Sequence, residues 1–570
     1  MSVTKATTSW DHAVDLLIVG SGAGAMTTAL CAHDRGSNTL LIEKTDLYGG
    51  SSAMSGGSLW IPNNHLMAAA GVNDSSEEAL TYLKALTRGT VPEEKLRRYV
   101  ETAPEMLKYL TDRSQLRMQS MLTYTDYYPE TPGGKPGGRS VEPEHFDARL
   151  LGDEFARMRE PAVQELVMGR VSMTATEAHH LLARHPGWIK LTTSIMSRYW
   201  FDIGGRLASK RDRCLSLGNA LIGMLRRSLM DRNVPLWLDT AACELVVENG
   251  RVVGLVAEQH GRTVRIRAEK GVVLAAGGFE SSDEMRKKYL PNPTDAEWTT
   301  ASPGNTGEVI RMGMELGAEV ELMDDAWWGP TTVVPGEDRA RMLVIEKGLP
   351  GSIFVNKRGE RFLNEAAPYN DICKAMYAKN TPEAPCIPAY MVFDGTFRKK
   401  YPCGPFFQAS QQPDWMLPKQ LKEQRYLKKA DTLEGLAAEL GIDAAGLKAS
   451  VERMNGHARA GKDPDFHRGE SLFDRYYGDE KVRPNPCLAP LDTPPYYGIV
   501  VYPGDLGTKG GLMTDASARV LTKGGEPIPG LYAIGNCSAS VMGHTYPGAG
   551  GTMGPAMTFG YIVAHEAISR

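Results

Sequence analysis

A strand, a glycine turn and a helix near the N-terminus constrain the fold of this chain most strongly. Residues 14–19 (VDLLIV) have the largely apolar pattern of a strand buried in a parallel sheet. Gly20-Ser21-Gly22-Ala23-Gly24-Ala25 follows at once, and residues 26–35 have helical composition. A second apolar strand, residues 39–42, ends at Glu43. This order of elements predicts the start of a doubly wound α/β domain.

The glycine turn has the residue types that a dinucleotide pyrophosphate needs. Gly20 permits a tight turn, Gly22 lets the backbone approach the phosphates, and small Ala25 lets the helix pack closely on the strand. The helix N-terminus then faces the phosphates, where its dipole favours negative charge. Glu43 lies about 20 residues further on, where a carboxylate accepts hydrogen bonds from the adenosine ribose. A chance glycine turn is the alternative, but the strand, the helix and the acid are all in the order that the site requires.

Further clusters of small residues favour FAD over NAD. Gly49-Gly50-Ser51-Ser52 and Ser55-Gly56-Gly57 suit a backbone that wraps a long cofactor, although a flexible loop would have a similar composition. Residues 275–278 and Gly535-Asn536 end two later strands. A redox CxxxxC motif is absent, which disfavours disulfide reductases. The predicted cofactor-binding residues are Gly20, Gly22, Ala23, Gly24, Ala25, Glu43, Lys44, Gly50, Ser51, Ser52, Gly56, Gly57, Ala276, Gly277, Asn536 and Gly551.

The length and composition predict a two-lobed globular protein. The chain has 570 residues, more than one hydrophobic core organises, with 42% hydrophobic and 23% charged residues. A net charge of −4 gives no indication of a nucleic-acid surface, and no apolar run has the length of a membrane span. Residues 1–12 lack a signal-peptide pattern, and the eight cysteines form no CxxC pair or zinc-ligand spacing. We therefore expect reduced thiols, no metal and a cytoplasmic location.

Changes in pattern along the chain predict its domains. Helical patterns dominate residues 75–118 and 150–233, with a Pro- and Gly-rich loop at 128–147, and short alternating strands follow at 235–276. We expect an FAD-binding domain made of residues 1–281 and 491–570, with a helical insertion at about 75–233. Residues 282–490, which mix helical segments with scattered Trp, Tyr and Pro, are expected to form a second domain.

Several longer motifs resemble a known flavoprotein family. They are IVGSGAGAM, LIEKTDLYGGSSAMSGGSLWIP, VLAAGGFE, GERFLNEAAPY, GTKGGLMTDASARVL and IPGLYAIGNCSASVMGHTYPGAGGTMGPAMTFG. On these stretches the chain resembles the fumarate reductases and 3-ketosteroid dehydrogenases, and most closely the 3-ketosteroid Δ1-dehydrogenases. The resemblance is weak between about 150 and 215. It implies an α/β fold in which a Rossmann-like domain, with FAD bound non-covalently, is interrupted by an inserted α+β catalytic (capping) domain.

The resemblance also implies a reaction and its residues. A base takes a proton from C2 of a 3-ketosteroid, and flavin N5 takes the hydride from C1. Tyr369 matches the base, while Tyr546 and the Gly550 backbone N–H match the two donors to the C3 carbonyl oxygen. Tyr127 matches an assisting tyrosine, although Tyr124 and Tyr128 are close in sequence. The implied partners are the steroid and an electron acceptor such as a quinone, and peripheral membrane contact stays open.

These roles make chemical sense. Removing the C2 proton builds negative charge on the carbonyl oxygen, which two aimed donors would stabilise. An ordinary tyrosine has a pKa of about 10, so a hydrogen bond from Tyr127 or a positive group would have to favour the phenolate of Tyr369. Most of the 22 tyrosines are expected to be structural, as are His544 and a polar network near the flavin formed by Arg361, Asn364 and Glu365. Candidates for an apolar substrate lining are Met121, Trp327, Trp328, Phe406, Phe407 and Met542.

Three other functions compete with this hypothesis. A 3-ketosteroid Δ4-(5α)-dehydrogenase would share the fold and the tyrosines but act at C4 and C5. A fumarate- or urocanate-reductase-like enzyme would need arginine and histidine to hold a carboxylate, whereas the corresponding loops carry tyrosines here. A flavoprotein that only transfers electrons would not require tyrosines of the catalytic type.

Overall fold

Strands from both ends of the chain belong to one parallel sheet, on either side of the strand Arg262–Leu274. The computed structural model describes residues 9–182 and 186–569. The parallel strands, in their order across the sheet, are Leu236–Trp237, Thr39–Ile42, His12–Val19, Arg262–Leu274 and Pro527–Ala533. Val272 pairs with Leu17 on one side and with Leu531 on the other. The predictions that include residues 1–8, 183–185 and 570 lie, for those residues, outside the described part of the chain.

An antiparallel ribbon extends this sheet. Strands Thr240–Glu248 and Arg251–Gln259 pair with each other, and Arg251–Gln259 pairs with the first half of Arg262–Leu274. The second half of that long strand returns to the parallel sheet, where residues 270–274 are buried on both faces apart from the partly exposed Lys270. The change from alternating to continuous apolar residues along this strand therefore follows the change from a half-exposed to a buried environment.

Helices of the first lobe pack on the parallel sheet and on one another. They are Ala23–His33, Gly50–Met54, His65–Ala69, Ser76–Thr87, Glu93–Arg113, Leu217–Met230 and Met553–Ile568. The first and last of these cross closely at Gly24, where a Cβ atom would lie 2.8 Å from the Ala556 carbonyl oxygen. A glycine at this point therefore brings the C-terminal helix against the N-terminal glycine turn.

Residues 128–215 contain more strand than the sequence predicts. Ser140–Pro143, inside the predicted loop, is a buried strand between Leu59–Trp60 and Met118–Ser120. The Pro and Gly residues around it are typical of a loop, so the sequence pattern does not indicate a strand here. Its place in the sheet comes from pairing with distant strands. The following segment, expected to be mainly helical, contains the 3-10 segments Ala148–Arg157 and Val163–Glu165, strands Phe146–Asp147, Leu166–Val167, Val171–Ser172 and Cys214–Leu215, and helices Ala175–Leu182, Trp188–Trp200 and Ile203–Ala208.

The second lobe is built on an antiparallel sheet. Its strands are, in order, Arg341–Met342, Ala326–Thr332, Tyr496–Thr508, Ala389–Phe393 and Ser352–Val355, with Lys428–Ala430 also paired to Tyr496–Thr508. Its helices are Tyr369–Ala378, Gly395–Lys400, Lys419–Glu423, Leu433–Leu440, Ala444–Ala460 and Leu472–Tyr476. The helices Asp283–Tyr289 and Glu308–Glu315 pack instead with the hydrophobic residues of the parallel sheet. Two small pairings, Val320–Glu321 with Gly511–Leu512 and Arg519–Leu521 with Pro527–Ala533, return the chain to the first lobe.

The long strand Tyr496–Thr508 follows the predicted limit at 491 but belongs to the sheet of the second lobe. It was assigned by sequence to the first domain, whose second part was expected to start at 491, and it pairs with strands of the second lobe on both of its edges. The limits 281 and 491 stay predictions. Among the described helices, none combines the length and the apolar character that crossing a lipid bilayer would require.

Candidate cofactor and active site

A cavity of about 1230 Å³ lies between the two lobes. The glycine turn and the tyrosines predicted from sequence line the same cavity. The lining includes Gly20, Gly22, Ala23, Gly24, Ala25, Glu43, Lys44, Gly50, Ser51, Ser52, Gly56, Gly57, Ala276, Gly277 and Asn536, together with Tyr127, Tyr369, Tyr546 and Gly550. Gly551 is outside this lining, and its N–H donates to the Gly548 carbonyl oxygen at 3.0 Å.

The glycine turn leaves no room for side chains. Gly20 has φ +114°, and a Cβ atom there would lie 2.3 Å from the Ala275 carbonyl oxygen. Gly22 caps the helix that starts at Ala23, whose N–H donates to Ser52 Oγ at 3.1 Å. The next two N–H groups, of Gly24 and Ala25, have no acceptor within the described ranges 9–182 and 186–569. These free donors at a helix N-terminus fit a pyrophosphate.

Glu43 is held in a fixed orientation at the end of its strand. Its carboxylate accepts from Ser21 Oγ at 2.6 Å and from the Thr45 N–H and hydroxyl, both at 3.0 Å. Lys44, in contrast, has its ammonium 2.7 Å from Glu308 and 2.8 Å from the Thr306 hydroxyl. Glu43 is therefore the better placed of the two to receive ribose hydroxyls, because Lys44 is already paired.

The second glycine cluster connects the cavity wall to both lobes. Gly57 has φ +70°, and a Cβ atom there would lie 2.4 Å from the Leu217 carbonyl carbon. Ser51 Oγ accepts from the Ser302 N–H at 2.9 Å and from Asn305 Nδ2 at 3.0 Å. A backbone that approaches the cavity this closely suits a cofactor longer than a single nucleotide.

Cys537 is a residue of this region that sequence analysis missed. The Ala276 N–H donates to its Sγ at 3.0 Å, and the thiol donates to the Gly277 carbonyl oxygen at 3.1 Å. Burial raises the pKa of the thiol to about 12, so it stays protonated. The thiol thus joins the strand ends that carry Ala276 and Asn536. Its position directly after Gly535-Asn536 was the only signal in the sequence.

Taken together, the cavity residues fit FAD. The free N–H groups at the helix start suit its phosphates, and Glu43 suits its ribose. The second glycine cluster and three predicted tyrosines line the same cavity, which is large enough to extend beyond a pyrophosphate.

The three predicted tyrosines converge in the wall of the cavity. The Tyr127 and Tyr369 hydroxyls are hydrogen-bonded to each other. The ring centroids are 5.3 Å apart for Tyr127 and Tyr369, 5.3 Å for Tyr369 and Tyr546, and 5.1 Å for Tyr127 and Tyr546. Three residues separated by hundreds of positions in the sequence therefore form one aromatic cluster, which we call the tyrosine triad.

Local structure fixes each member of the triad. Tyr369 is the first residue of the helix Tyr369–Ala378, with Pro368 as its N-cap. The Tyr127 N–H donates at 2.9 Å to the Pro547 carbonyl oxygen, next to Tyr546. The Tyr546 hydroxyl lies 3.5 Å from Thr552 Oγ1.

The neighbours of Tyr127 have other partners. The Tyr124 and Tyr477 hydroxyls are 2.6 Å apart. The Tyr128 hydroxyl donates to Asp371 at 2.8 Å. Of the three tyrosines in this short segment, Tyr127 is the one bonded to Tyr369.

The triad is a low-polarity environment. Burial raises the pKa of Tyr127 and Tyr369 well above the usual value, and it raises the pKa of Tyr546 as well. The neighbouring tyrosines raise the pKa of Tyr369 further, whereas the hydrogen bond from Tyr127 lowers it. The hydrogen bond from Tyr127, one of the two ways of favouring the Tyr369 phenolate that the sequence suggested, is present in this geometry.

Gly550 presents a free backbone donor beside the triad. It has φ +90°, and a Cβ atom there would lie 2.4 Å from the Leu59 Cα. Its N–H has no acceptor among the residues that the structure describes, and the residue lines the cavity. An amide in this state can hydrogen-bond a ligand without first breaking a bond within the protein.

The apolar lining differs in part from the sequence prediction. Met121, Phe406 and Phe407 line the cavity, whereas Trp327, Trp328 and Met542 do not. Trp327 packs on Tyr546 with ring centroids 4.8 Å apart, and Trp328 Nε1 donates to Asp325 at 2.6 Å. Lining residues that the sequence analysis did not single out include Met342, Val344, Met416, Tyr476 and Tyr477.

The residues predicted to be structural are engaged in polar contacts. Arg361 forms ion pairs with Glu365 and Asp463, both at 2.7 Å, and Asn364 donates to Asp474 at 2.9 Å. None of the three predicted network residues lines the cavity, so the network is not beside the predicted flavin position. His544 Nδ1 lies 2.8 Å from Asp325.

Comparison with known proteins gives close matches over almost the whole chain. The FAD binding domain family matches residues 15–553. A 3-oxosteroid 1-dehydrogenase of Mycobacterium tuberculosis is 45% identical over 96% of this chain and 97% of its own. A crystal structure of a 3-ketosteroid Δ1-dehydrogenase from Sterolibacterium denitrificans, in complex with 1,4-androstadiene-3,17-dione, has a TM-score of 0.95 and 51% identity, covering 98% of this chain and all of that one.

A more distant structure shares the fold alone. The 3-ketosteroid Δ4-(5α)-dehydrogenase from Rhodococcus jostii has a TM-score of 0.66 at 22% identity, over 99% of this chain and 98% of its own. These likenesses confirm the predicted fold class, a Rossmann-like FAD-binding domain interrupted by an inserted capping domain, and the predicted cofactor, FAD. The chain belongs to the FAD-binding flavoproteins and, among them, to the family of the 3-oxosteroid 1-dehydrogenases.

Proposed function

We propose that this protein is an FAD-dependent oxidoreductase that removes hydrogen from C1 and C2 of 3-ketosteroids. The observation that supports this most directly is the tyrosine triad, with the free Gly550 N–H beside it in the cavity. The relatives with this activity match the chain over almost its full length. The apolar lining, which includes Met121, Phe406 and Phe407, suits a flat hydrocarbon skeleton.

In this proposal Tyr546 and Gly550 bind the C3 carbonyl oxygen. The phenol O–H and the backbone N–H would both donate to it, and their bonds would strengthen as the oxygen gains negative charge. The charge develops in a buried environment, where hydrogen bonds act strongly because water does not compete. Losing one donor of this type costs about 3–4 kcal/mol of transition-state stabilisation in well-studied enzymes.

Tyr369 would accept the proton from C2 of the steroid. Its phenolate must form first, which burial opposes and the hydrogen bond from Tyr127 favours. Once it has taken this proton, Tyr369 is neutral, and its hydroxyl stays hydrogen-bonded to Tyr127. The resulting pair of tyrosines would hold the proton at the edge of the cavity while the steroid loses its C1 hydride.

FAD, when bound, would supply the acceptor for that hydride. Its pyrophosphate would be held by the N–H groups of Gly24 and Ala25, and its ribose by Glu43. We propose cofactor contacts also from the remaining predicted residues that line the cavity. Gly551 is proposed only as part of the turn that shapes the loop after Tyr546.

Other predictions follow from this function. We propose that residues 1–281 and 491–570 bind FAD and that residues 282–490 form the catalytic domain. Tyr369 would be the residue by which the catalytic domain contributes to the cavity between the lobes. All eight cysteines are free thiols, which supports a cytoplasmic location as a proposal. A quinone-like electron acceptor and peripheral contact with a membrane also stay predictions.

Anaerobic mixing with a panel of 3-ketosteroids tests the proposal. We expect a saturated 3-ketosteroid ring A to bleach the flavin absorbance, with a product that carries a new C1–C2 double bond by mass spectrometry and NMR. A flavin that stays oxidised with every steroid tried would contradict the function.

Product analysis on a 5α-3-ketosteroid separates this function from its nearest alternative. A new double bond at C4–C5 would instead indicate the Δ4-(5α) activity. The structure of that type shares only the fold with this chain at 22% identity, whereas the two Δ1-type relatives described above are 45% and 51% identical to it.

A further inference from the structure

Two lysines, Lys347 and Lys509, are completely buried next to the tyrosine triad. Burying an ammonium group is costly unless its protons are well hydrogen-bonded, and an apolar side chain would fill the same space more cheaply. Neither lysine lines the cavity, so neither contacts a ligand there. Their buried amino groups therefore call for a role in the surrounding protein.

Lys347 holds the backbone that leads into Tyr369. Its Nζ donates to the carbonyl oxygen of Ala367 at 2.6 Å, and those of Glu365 and Ala366 lie at 3.3 and 3.4 Å. An ammonium has three protons, so it can satisfy three successive carbonyls at once. These residues end immediately before Pro368 and Tyr369, where the helix begins.

Lys509 holds the backbone that leads into Tyr546 in the same way. Its Nζ donates at 2.8 Å to the carbonyl oxygen of Thr545, the residue directly before Tyr546. Asp325 lies 3.8 Å from the same nitrogen. Asp325 also receives His544 Nδ1 at 2.8 Å and Lys374 Nζ at 3.3 Å.

Lys374 connects this cluster to the helix of Tyr369. It lies within Tyr369–Ala378, and its ammonium also donates to the carbonyl oxygen of His544. The nearby positive groups hold the pKa of Asp325 at about 2 although burial alone would raise it, so its carboxylate stays charged. The loop with Tyr546 is thus fastened to the helix of Tyr369 through charged side chains.

Each lysine also supports an aromatic ring that packs on the triad. Lys347 Nζ lies 5.8 Å from the centroid of Phe473, whose ring is 4.8 Å from that of Tyr127. Lys509 Nζ lies 4.7 Å from the centroid of Trp327, whose ring is 4.8 Å from that of Tyr546. The two lysines thus fix both the backbone and one face of the triad.

We propose that Lys347 and Lys509 are positioning residues that set the geometry between the base Tyr369 and the carbonyl-binding Tyr546. The inference rests on the proposed function. Lys347 acts on the base side, by holding the carbonyls before Tyr369. Lys509 acts on the carbonyl-binding side, by holding Thr545 and, through Asp325, the adjoining loop. A displacement of about 1 Å between reacting groups can cost about 100-fold in rate.

Lys347→Met and Lys509→Met in the FAD-loaded enzyme test this assignment. Methionine keeps the length and volume of the side chain but removes its donors. We expect both variants to keep their flavin and its visible spectrum, to lose about 100-fold in kcat for a 3-ketosteroid, and to change KM much less.

Binding of a steroid with a phenolic ring A distinguishes the role proposed for Lys347 from that proposed for Lys509. Its phenolate imitates the enolate, so its affinity, followed by the change in flavin absorbance, reports on the donors at Tyr546 and Gly550. Lys509→Met should weaken this binding by about tenfold or more, whereas Lys347→Met should leave it within about threefold of the wild type, since the base is not a donor to the oxygen.

Two further variants distinguish a positioning role from a general loss of stability. Lys95 is a third buried lysine, which donates to the Thr514 carbonyl and hydroxyl oxygens at 3.0 and 2.8 Å and holds no tyrosine of the triad. Lys95→Met should lower the melting temperature but keep kcat within about threefold. Should Lys509→Met fail to fold, Lys374→Met, at a partly exposed position, should lower kcat and phenolic-steroid affinity in the same direction.

The outcomes are distinct from those for the function itself. If the wild type bleaches with 3-ketosteroids and both Lys347→Met and Lys509→Met keep kcat within about threefold, the positioning role is wrong. A loss in kcat for Lys95→Met as large as for Lys509→Met would also overturn it, because burial alone would then explain the effect. A wild type that never bleaches would instead contradict the proposed function.

Discussion

The glycine turn at Gly20 and the tyrosine triad are built in opposite ways. The turn places backbone N–H groups with consecutive residues of one strand, one turn and one helix, and its geometry depends on the absence of side chains. The triad places side-chain hydroxyls from Tyr127, Tyr369 and Tyr546, which meet only because two lobes pack together. The difference predicts that substitutions in the turn affect cofactor binding, whereas those in the triad affect chemistry with the cofactor retained.

The largest effect is expected from Tyr369→Phe. The variant lacks the proposed base, and general-base catalysis typically contributes a factor of about 10²–10⁴. We expect steroid dehydrogenation to fall by about 1000-fold or more while the yellow flavin stays bound. Stopped-flow measurement of flavin bleaching gives the rate, and the absorbance ratio of flavin to protein gives the occupancy. If the variant lost its flavin together with its activity, the prediction that triad substitutions leave cofactor binding intact would be wrong.

Tyr546→Phe should have the next largest effect. Removing one donor to the developing oxyanion costs about 3–4 kcal/mol, which corresponds to about 10²–10³-fold in kcat. The Gly550 N–H would remain, so some activity should persist. Turnover close to that of the wild type would contradict the proposed carbonyl-binding role.

Gly22→Ala tests the turn. Gly22 has φ −72°, which alanine adopts easily, and the added Cβ atom would lie 3.2 Å from Ser52 Oγ. We therefore expect a small loss of stability but at least about a tenfold loss in FAD affinity, since the methyl group blocks the approach of the phosphates. Titration of the apoprotein with FAD measures this. Gly456→Ala, in a helix where a Cβ atom meets nothing within 4 Å, is the matched control and should bind FAD normally.

The pH dependence should separate the triad from the turn in the wild-type enzyme. Burial raises the pKa of Tyr369, so the phenolate is a minor species at neutral pH. Below that pKa its population grows about tenfold per pH unit. We expect kcat/KM to rise with pH across the range in which the protein stays folded, while FAD affinity changes little. A rate that is constant between about pH 7 and 9 would argue against a tyrosine base.

The smallest effect is expected from Tyr124→Phe. Its hydroxyl is bonded to that of Tyr477 and not to Tyr369, so we expect activity within about threefold of the wild type. Tyr127→Phe, which removes the hydrogen bond to Tyr369, should lower kcat by about tenfold or more. Equal effects of the two substitutions on kcat would contradict the assignment of Tyr127, and not Tyr124, as the tyrosine that assists Tyr369.

Much of the first lobe could be predicted because its signals are local. The strand at 14–19, the turn and the strand at 39–42 appear as His12–Val19 and Thr39–Ile42 on either side of the helix Ala23–His33. Local patterns failed between 128 and 215. There the strand Ser140–Pro143 lies among prolines and glycines and is stabilised by pairing with strands about 20 and 80 residues away.

In the candidate site, too, features specified by local sequence were predicted well and features that depend on tertiary packing were not. Most predicted cofactor residues line the cavity because they occupy strand ends, which meet at one edge of a parallel sheet. The apolar lining was predicted less well. Trp327 and Trp328 look like ligand contacts by composition, yet they pack behind the cavity on Tyr546 and Asp325. Side-chain direction depends on the pairing of the whole strand Ala326–Thr332, which its own residues do not specify.

The sequence by itself determined the dinucleotide turn, and its resemblance to a family indicated the interrupted FAD-binding domain and the three tyrosines. Consecutive residues specify such features, because hydrogen bonding and steric fit act over a few positions. Only the tertiary structure decided that Tyr127 bonds Tyr369, that Cys537 joins two strand ends, and that Lys347 and Lys509 hold the backbone before Tyr369 and Tyr546. These contacts join residues that are not neighbours in the chain, so local patterns do not reveal them, and the bond between Tyr127 and Tyr369 exists only once the two lobes are packed.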